Sequence, residues 1–443
     1  MRILDLLKRL FGLAPAARKD GQPAVTDRSA CQIGPAPPTQ VRKSRITVHR
    51  EEIIDGRSRI AGYQFLTQDA SKEGFSGVKD RVEALLADHL VRFAQRRLAL
   101  IPLTVEAWKA ADFRPLIAPQ SLFLVDSEST NGDVGRLAAA LEDIRAVGGR
   151  VGLNAEGHAF HPEILGLAEF ILIKFSSHTI EGFEWLVKSL RASLPNLTVM
   201  ATNVNSWAEH RLCLDMGVNY SLGDFATQQD PQVKMEKLTQ SRLILMELLN
   251  LLRQNAEISA LAAVAKRDPG VTLKIIEMAN SPLSGLTAPI ASLEQALLIL
   301  GREVLYRWLA LSIYRTSNDG RDETLLEIAL GRAFFLEQVA VGCRSKQESD
   351  ELFLVGMLSL LDILLGLPMT KAIDGIILPQ AIIDVLVKSE GPYARFLLLA
   401  LAREKGRNDQ AVKFATDIGL SEKQLMESGI AASMLVEDAL LAA

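Results

Sequence analysis

The sequence predicts a two-part architecture: an α/β barrel followed by an all-α domain. From Arg45 to Thr202, short apolar runs alternate with amphipathic stretches, the pattern of repeated strand–helix units that build a parallel sheet and close a barrel. From Lys237 onward strand patterns disappear and apolar residues recur at helical spacing. At 443 residues the chain is long enough for two or three domains.

Residues 1–12 make a short amphipathic pattern, with Ile3, Leu6, Leu7, Leu10 and Phe11 on one face and Arg2, Asp5, Lys8 and Arg9 elsewhere. This reads as a helix that docks on a membrane surface or a partner, or as one that packs on its own domain or on nothing. Charges interrupt the apolar stretch and no cleavage site follows, which argues against a signal peptide. Residues 13–43, rich in Ala, Pro, Gly and charge, are expected to be a disordered linker.

The α/β part is expected over 44–235. RITVHREEIID and RIAGYQFLTQ read as two strands joined at Asp55-Gly56. Val78 to Ala99 reads as a helix, Leu98 to Val105 and Ser121 to Asp126 as strands. Asp133 to Val147 is a helix stopped by Gly148-Gly149. Arg150–Asn154, Phe170–Phe175 and Thr198–Thr202 are further strands, each followed by a helical stretch.

The all-α part is expected over 236–443. Helices are read at 238–254, 261–265, 325–341, 348–365, 379–388, 393–404, 408–419 and 421–441. Two more lie between Val264 and Leu311. Asp268 is placed as an N-cap with Pro269 at the first helical position. Leu273, Ile276, Ala279 and Asn280 continue at helical spacing, and Asn280-Ser281-Pro282 stops that helix. Ser292 with Gln295 reads as a capping box, and Leu293, Ala296, Leu297 and Leu300 form one apolar stripe. Gly301 fits a position past a C-cap or a tight helix–helix corner.

Net charge is −4, so no global field recruits nucleic acid. The basic excess is local, ten Lys/Arg within residues 1–50. Cys31, Cys213 and Cys343 are far apart and odd in number, which fits a reducing cytoplasm better than a disulfide framework. The longest apolar run, Leu352 to Met369, is interrupted by Asp362 and reads as a buried helix.

Asp268-Pro269, ANSP at Ala279 to Pro282 and SLEQALLILG at Ser292 to Gly301 together resemble the signature of the HDOD domain, a helical relative of the HD-type phosphohydrolases that is usually non-catalytic. In the first half, IAGYQFL, RLALIPLT, VGLNAEG, ILIKFS and the stretch from Thr198 to Phe225 follow the order and spacing of the EAL family, cyclic di-GMP phosphodiesterases with a TIM-like barrel. The resemblance implies a degenerate EAL-like barrel followed by an HDOD domain, in a bacterial signalling protein.

That chemistry needs two divalent cations held by hard oxygen ligands. On the resemblance the ligand positions map to Gln64, Pro102, Val125 (or Asp126 one residue on), the pair Asn154 and Ala155, Ser176 beside a retained Lys174, then Thr202 and Asn205, with Ser221-Leu222 at the last strand. Almost no carboxylate remains, so the barrel is expected to bind no metal and to be inactive. Lys174 is read as structural, or as a residual anion contact. The His-Asp pair of the HD type would fall at Ser359 and Leu360, and all six histidines lie at or before His210.

His158 and His161 beside Glu156 read as a solvated loop rather than a metal site, and Glu209-His210-Arg211 as a polar helix face. The expectation is therefore a non-catalytic, cytoplasmic scaffold without cofactor, whose partners are signalling proteins. The alternative is a cyclic di-GMP receptor that binds without hydrolysis. The segment between the two central helices, with Pro282, Leu286 and Pro289, is the expected partner surface.

Overall fold

The computed structural model describes residues 46–69, 77–130, 132–155, 162–232, 239–280, 290, 292–316, 319–341 and 343–441. The readings made for residues 1–12 and 13–43, for His158 and His161, and for Pro282, Leu286 and Pro289 fall outside these residues.

Eight strands close a barrel in chain order: β1 (Ile46–Asp55), β2 (Ile60–Asp69), β3 (Leu98–Leu103), β4 (Ser121–Asp126), β5 (Arg150–Ala155), β6 (Phe170–Lys174), β7 (Thr198–Thr202) and β8 (Tyr220–Leu222). The sheet is not uniformly parallel, as a TIM barrel would require. β1 runs antiparallel to both β2 and β8, while β2 to β8 are parallel to one another. The cause is local. Asp55 Oδ1 accepts from the amides of Arg57 at 2.8 Å and Arg59 at 2.9 Å, folding the chain back at once. Parallel pairing needs a longer crossover.

Helices α1 (Gly77–Ala87), α2 (Leu90–Phe93), α3 (Val105–Ala110), α4 (Val134–Ala146), α5 (Pro162–Leu165), α6 (Ile180–Ser193) and α7 (Trp207–Asp215) connect the strands. The single helix expected over Val78–Ala99 is broken at His89, whose φ of 57° lies in the left-handed region. Strand alternation divides the core in two. Ile53, Leu98, Leu100, Leu122, Leu124, Phe170, Leu172, Met200 and Leu222 fill the barrel. Their neighbours along the strands, Val125, Ala155 and Ile173 among them, face the surrounding helices.

The second half is helical: α8 (Gln240–Arg253), α9 (Ile258–Ala265), α10 (Pro269–Ala279), α11 (Leu293–Leu300), α12 (Arg302–Ser312), α13 (Gly320–Ala340), α14 (Lys346–Leu358), α15 (Leu361–Leu365), α16 (Met369–Ala372), α17 (Gln380–Lys388), α18 (Ala394–Glu404), α19 (Asn408–Asp417) and α20 (Glu422–Leu441). Asp268 caps α10 by accepting from the amides of Gly270 and Val271. Ser292 caps α11. Gly301, at φ 74°, joins α11 directly to α12, a conformation that favours glycine. The buried stripe of α11 is the expected one. That of α10 is shifted: Val271, Ile275 and Met278 are buried, whereas Leu273 is exposed.

α13 is the axis of this half and is buried on nearly every side. It still carries charge, and each charge is matched. Arg242 reaches Asp322 at 3.0 Å, Arg307 reaches Glu337 at 2.8 Å, and Arg332 reaches Glu404 at 2.7 Å. The apolar run at Leu352–Met369 supplies most of α14 and all of α15, and no described helix is long and apolar enough to cross a membrane.

Candidate functional site: the barrel mouth

The C-terminal ends of the parallel strands open as one mouth, where ligand groups of such barrels lie. Alternation decides which residues line it. Gln64 pairs with the inward Leu100. Pro102 lies two residues beyond Leu100, Asp126 two beyond Leu124, Lys174 two beyond Leu172 and Thr202 two beyond Met200. Asn154 is in register with both Asp126 and Leu172. These six residues share the inner side.

Of the other mapped positions Leu222 fills the barrel, while Ser221, in register with the outward Ile54 and Ala201, faces away from it, and four more do not line the mouth. Val125 and Ala155 are fully buried in the outer core, against the helices. At β4 the inward residue is Asp126, one position on. Ser176 lies past the end of β6, exposed, and accepts from Asn203 Nδ2 at 3.4 Å. Asn205 is exposed just before α7: its Nδ2 donates to the Asn203 carbonyl at 3.0 Å and its backbone N–H to Glu209 Oε2 at 2.7 Å.

One inward acid was missed. Glu51 pairs with Gln64 and stands two residues before the inward Ile53, so it belongs to the mouth. The period-two alternation of β1 was the signal that could have found it. Burial, reinforced by Asp224, pushes its carboxyl up to about 7, with Lys405 acting the other way. Asp224 follows β8 and binds Lys405 of the helical half at 2.8 Å.

Among the described residues the lining offers two carboxylates, Glu51 and Asp126, on strands separated by β2 and β3. Gln64, Asn154 and Thr202 add neutral oxygens, and Pro102 adds no side-chain donor. Its carbonyl accepts from Arg81 at 3.5 Å. Among the described residues no three His, Cys, Asp or Glu side chains come together in a way that could hold a metal ion. This donor set does not fit a pair of divalent cations, which need clustered acidic oxygens. Asn154 Oδ1 is buried without a hydrogen-bond partner among the described residues.

In the helical half, Ser359 and Leu360 form the break between α14 and α15. Ser359 Oγ donates to the Gly356 carbonyl at 2.7 Å and accepts from Arg332 at 3.0 Å, while Leu360 is core. His210 is not on a polar face. It is fully buried, stacks on Phe225 at 4.9 Å and is held down to about 4, first by burial and then by Arg211.

Residues 238–370 match the HDOD domain family. The helical half contains an HDOD domain. Helices α17 to α20 lie beyond the matched HDOD residues. Across 401 residues the chain is 20% identical to Cyclic di-GMP phosphodiesterase CdgJ of Vibrio cholerae, covering 88% of this chain and 92% of that one. It is 21% identical to YuxH of Bacillus subtilis, an uncharacterized protein, over 398 residues, 85% and 95% of the two chains. The EAL domain of FimX from Xanthomonas citri, solved with cyclic di-GMP, overlaps 41% of this chain and 86% of that one at 11% identity and a TM-score of 0.34. The EAL enzyme Bd1971, bound to cAMP and cyclic di-GMP, overlaps 40% of this chain and 60% of its own at 13% identity and a TM-score of 0.33. These overlaps are too loose to bear on the fold or the site.

Proposed function

We propose that the protein is a non-catalytic signalling scaffold, a degenerate EAL-like barrel joined to an HDOD domain, acting through protein–protein contacts in a cyclic di-GMP-linked behaviour. The relationship to CdgJ supports the signalling context. The observation that carries the non-catalytic reading is the mouth lining. Among the described residues, two inward carboxylates on non-adjacent strands stand where metal-assisted phosphodiester hydrolysis requires clustered acids. On the helical side, no histidine occurs after His210, so the HD type of metal site lacks its histidine ligands. The free thiols of Cys213 and Cys343 accord with a cytoplasmic setting. Partner capture is assigned to the HDOD half, around Pro282, Leu286 and Pro289.

Cyclic di-GMP incubated with the purified protein and Mg²⁺ or Mn²⁺ is expected to remain intact. Turnover that survives repurification and disappears in Lys174→Ala would overturn the reading. A second reading, binding without hydrolysis, is favoured by the inward Lys174 and the unpartnered Asn154 Oδ1. Calorimetry separates the two: heat that saturates with cyclic di-GMP and weakens in Lys174→Ala marks a receptor.

A further inference from the structure

The two halves meet along the outer side of the β1–β2 hairpin, and the contact is charged. Arg50 Nε binds Asp88 at 2.9 Å while its Nη1 reaches Glu437 on α20 at 3.3 Å. Arg97 grips Glu327 of α13 through two donors at 2.7 and 3.1 Å, and the Tyr63 hydroxyl donates to the same carboxylate at 2.6 Å. Arg332 of α13 binds Glu404 at the end of α18. Among these pairs lies a cavity of about 100 Å³, with room for several waters.

A fourth guanidinium lines this cavity without an acid of its own. Arg403 of α18 lies over the Phe335 ring, 5.0 Å from its centre. Among the described residues no ion pair or hydrogen bond to its side chain is found. The acids that act on it, Asp88 and Glu404, are already held by Arg50 and Arg332. For Arg50, Arg97 and Arg332, burial is outweighed by the paired acids, which hold each guanidinium above its ordinary value. For Arg403, burial prevails and pushes the guanidinium down. Gly429 of α20 makes the room that this side chain occupies. A Cβ there would stand 2.8 Å from Arg403 Nη2 and 2.9 Å from its Nε. Ser433, one turn further along α20, lines the same cavity.

We propose that the cavity is a binding site for a small oxyanion, a carboxylate or inorganic phosphate, held by Arg403 at the junction of the two halves. The charge of the lining gives the class. Arg50, Arg97 and Arg332 are each neutralised by an acid, so Arg403 leaves one positive charge unmatched. A cation held away from water without a partner is costly, and the planar donors of a guanidinium match an oxyanion. Glu52 lines the cavity too, but burial and the carboxylates of Glu404, Glu51 and Glu327 raise it to about 8. Near neutral pH it keeps its proton and repels no anion. The volume gives the size: about 100 Å³ is far below what a nucleotide fills. Such an ion would touch β1 and β2 on one side and α13, α18 and α20 on the other, so binding it strengthens the contact between the halves. The site is separate from the barrel mouth and does not depend on what the mouth binds.

The experiment is calorimetry and thermal melting on the full chain near pH 7, titrated with inorganic phosphate or with acetate while chloride keeps the ionic strength constant. At least one of the two is expected to give saturating heat with one ion per chain and to raise the melting temperature. Which of them does so identifies the kind of oxyanion. Arg403→Leu should weaken that binding about tenfold or more, the loss of a charge-assisted contact. Lys174→Ala, in the barrel mouth, should leave it unchanged. No saturation by either ion up to about 10 mM overturns the proposal, and so does full affinity in Arg403→Leu. Binding that is lost in Lys174→Ala instead places the anion in the mouth and also overturns it. If Arg403→Leu does not fold, Ser433→Asp supplies an acid from α20 and must abolish the saturating heat; unchanged affinity in that variant counts against the site.

Discussion

Glu327→Leu is expected to cost about 3–5 kcal/mol, the usual penalty when one partner of a buried pair is removed and the other stays. Glu327 is the common acceptor of two groups from the barrel side. Its loss strands Arg97, which lies 5.7 Å from the Tyr63 ring and 5.5 Å from the Phe93 ring, and the buried Tyr63 hydroxyl. Among the described residues Arg97 would keep its bond to the Ile60 carbonyl at 2.5 Å. One turn earlier on α13, Glu323 pairs with Arg59 across the same junction, but both side chains are more than two-fifths exposed. Glu323→Leu is therefore expected to change stability by less than about 1 kcal/mol. Chemical denaturation of the two variants side by side checks the contrast. Equal losses would mean that burial does not set the value of these pairs.

Gly356→Ala is expected to destabilise the helical half by about 3 kcal/mol, at the upper end for overpacking. A Cβ at Gly356 would stand 2.4 Å from both the Cα and the amide nitrogen of Ala333, so the two helix backbones would have to part. Gly331 is the internal control. Nothing lies within 4 Å of its Cβ position, and Gly331→Ala should be neutral or stabilising by up to about 1 kcal/mol through helix propensity. Melting curves in which Gly356→Ala matches wild type would show that α13 and α14 separate at little cost.

Much of this was legible because it is local. The caps at Asp268 and Ser292 and the corner at Gly301 depend on residues a few positions apart, and each stands where its spacing puts it. Strand–helix alternation likewise led to the barrel. Parity was harder. Placing Val125 rather than Asp126 at the mouth is a one-residue slip, and a one-residue slip in a strand moves a side chain to the opposite face. Glu51 and Glu52 are adjacent and chemically alike, yet one belongs to the mouth and the other to the junction. Leu273 shows the same problem on a helix, where apolar identity alone did not reveal which face was covered. The junction itself left no trace in the sequence. Arg97 and Glu327 are 230 residues apart, and no local pattern links them.

The bond from Arg50 to Glu437 spans 387 residues, from the first strand of the barrel to α20. During synthesis, β1 leaves the ribosome long before that helix exists. At about 5–20 residues per second the interval is roughly 20–80 s. Through that time the guanidinium can use Asp88 but not its second acid, and the outer side of the hairpin waits uncovered. The nascent barrel thus carries an unfinished flank that only the synthesis of α20 can close. A chain cut short before α20 would keep that flank open.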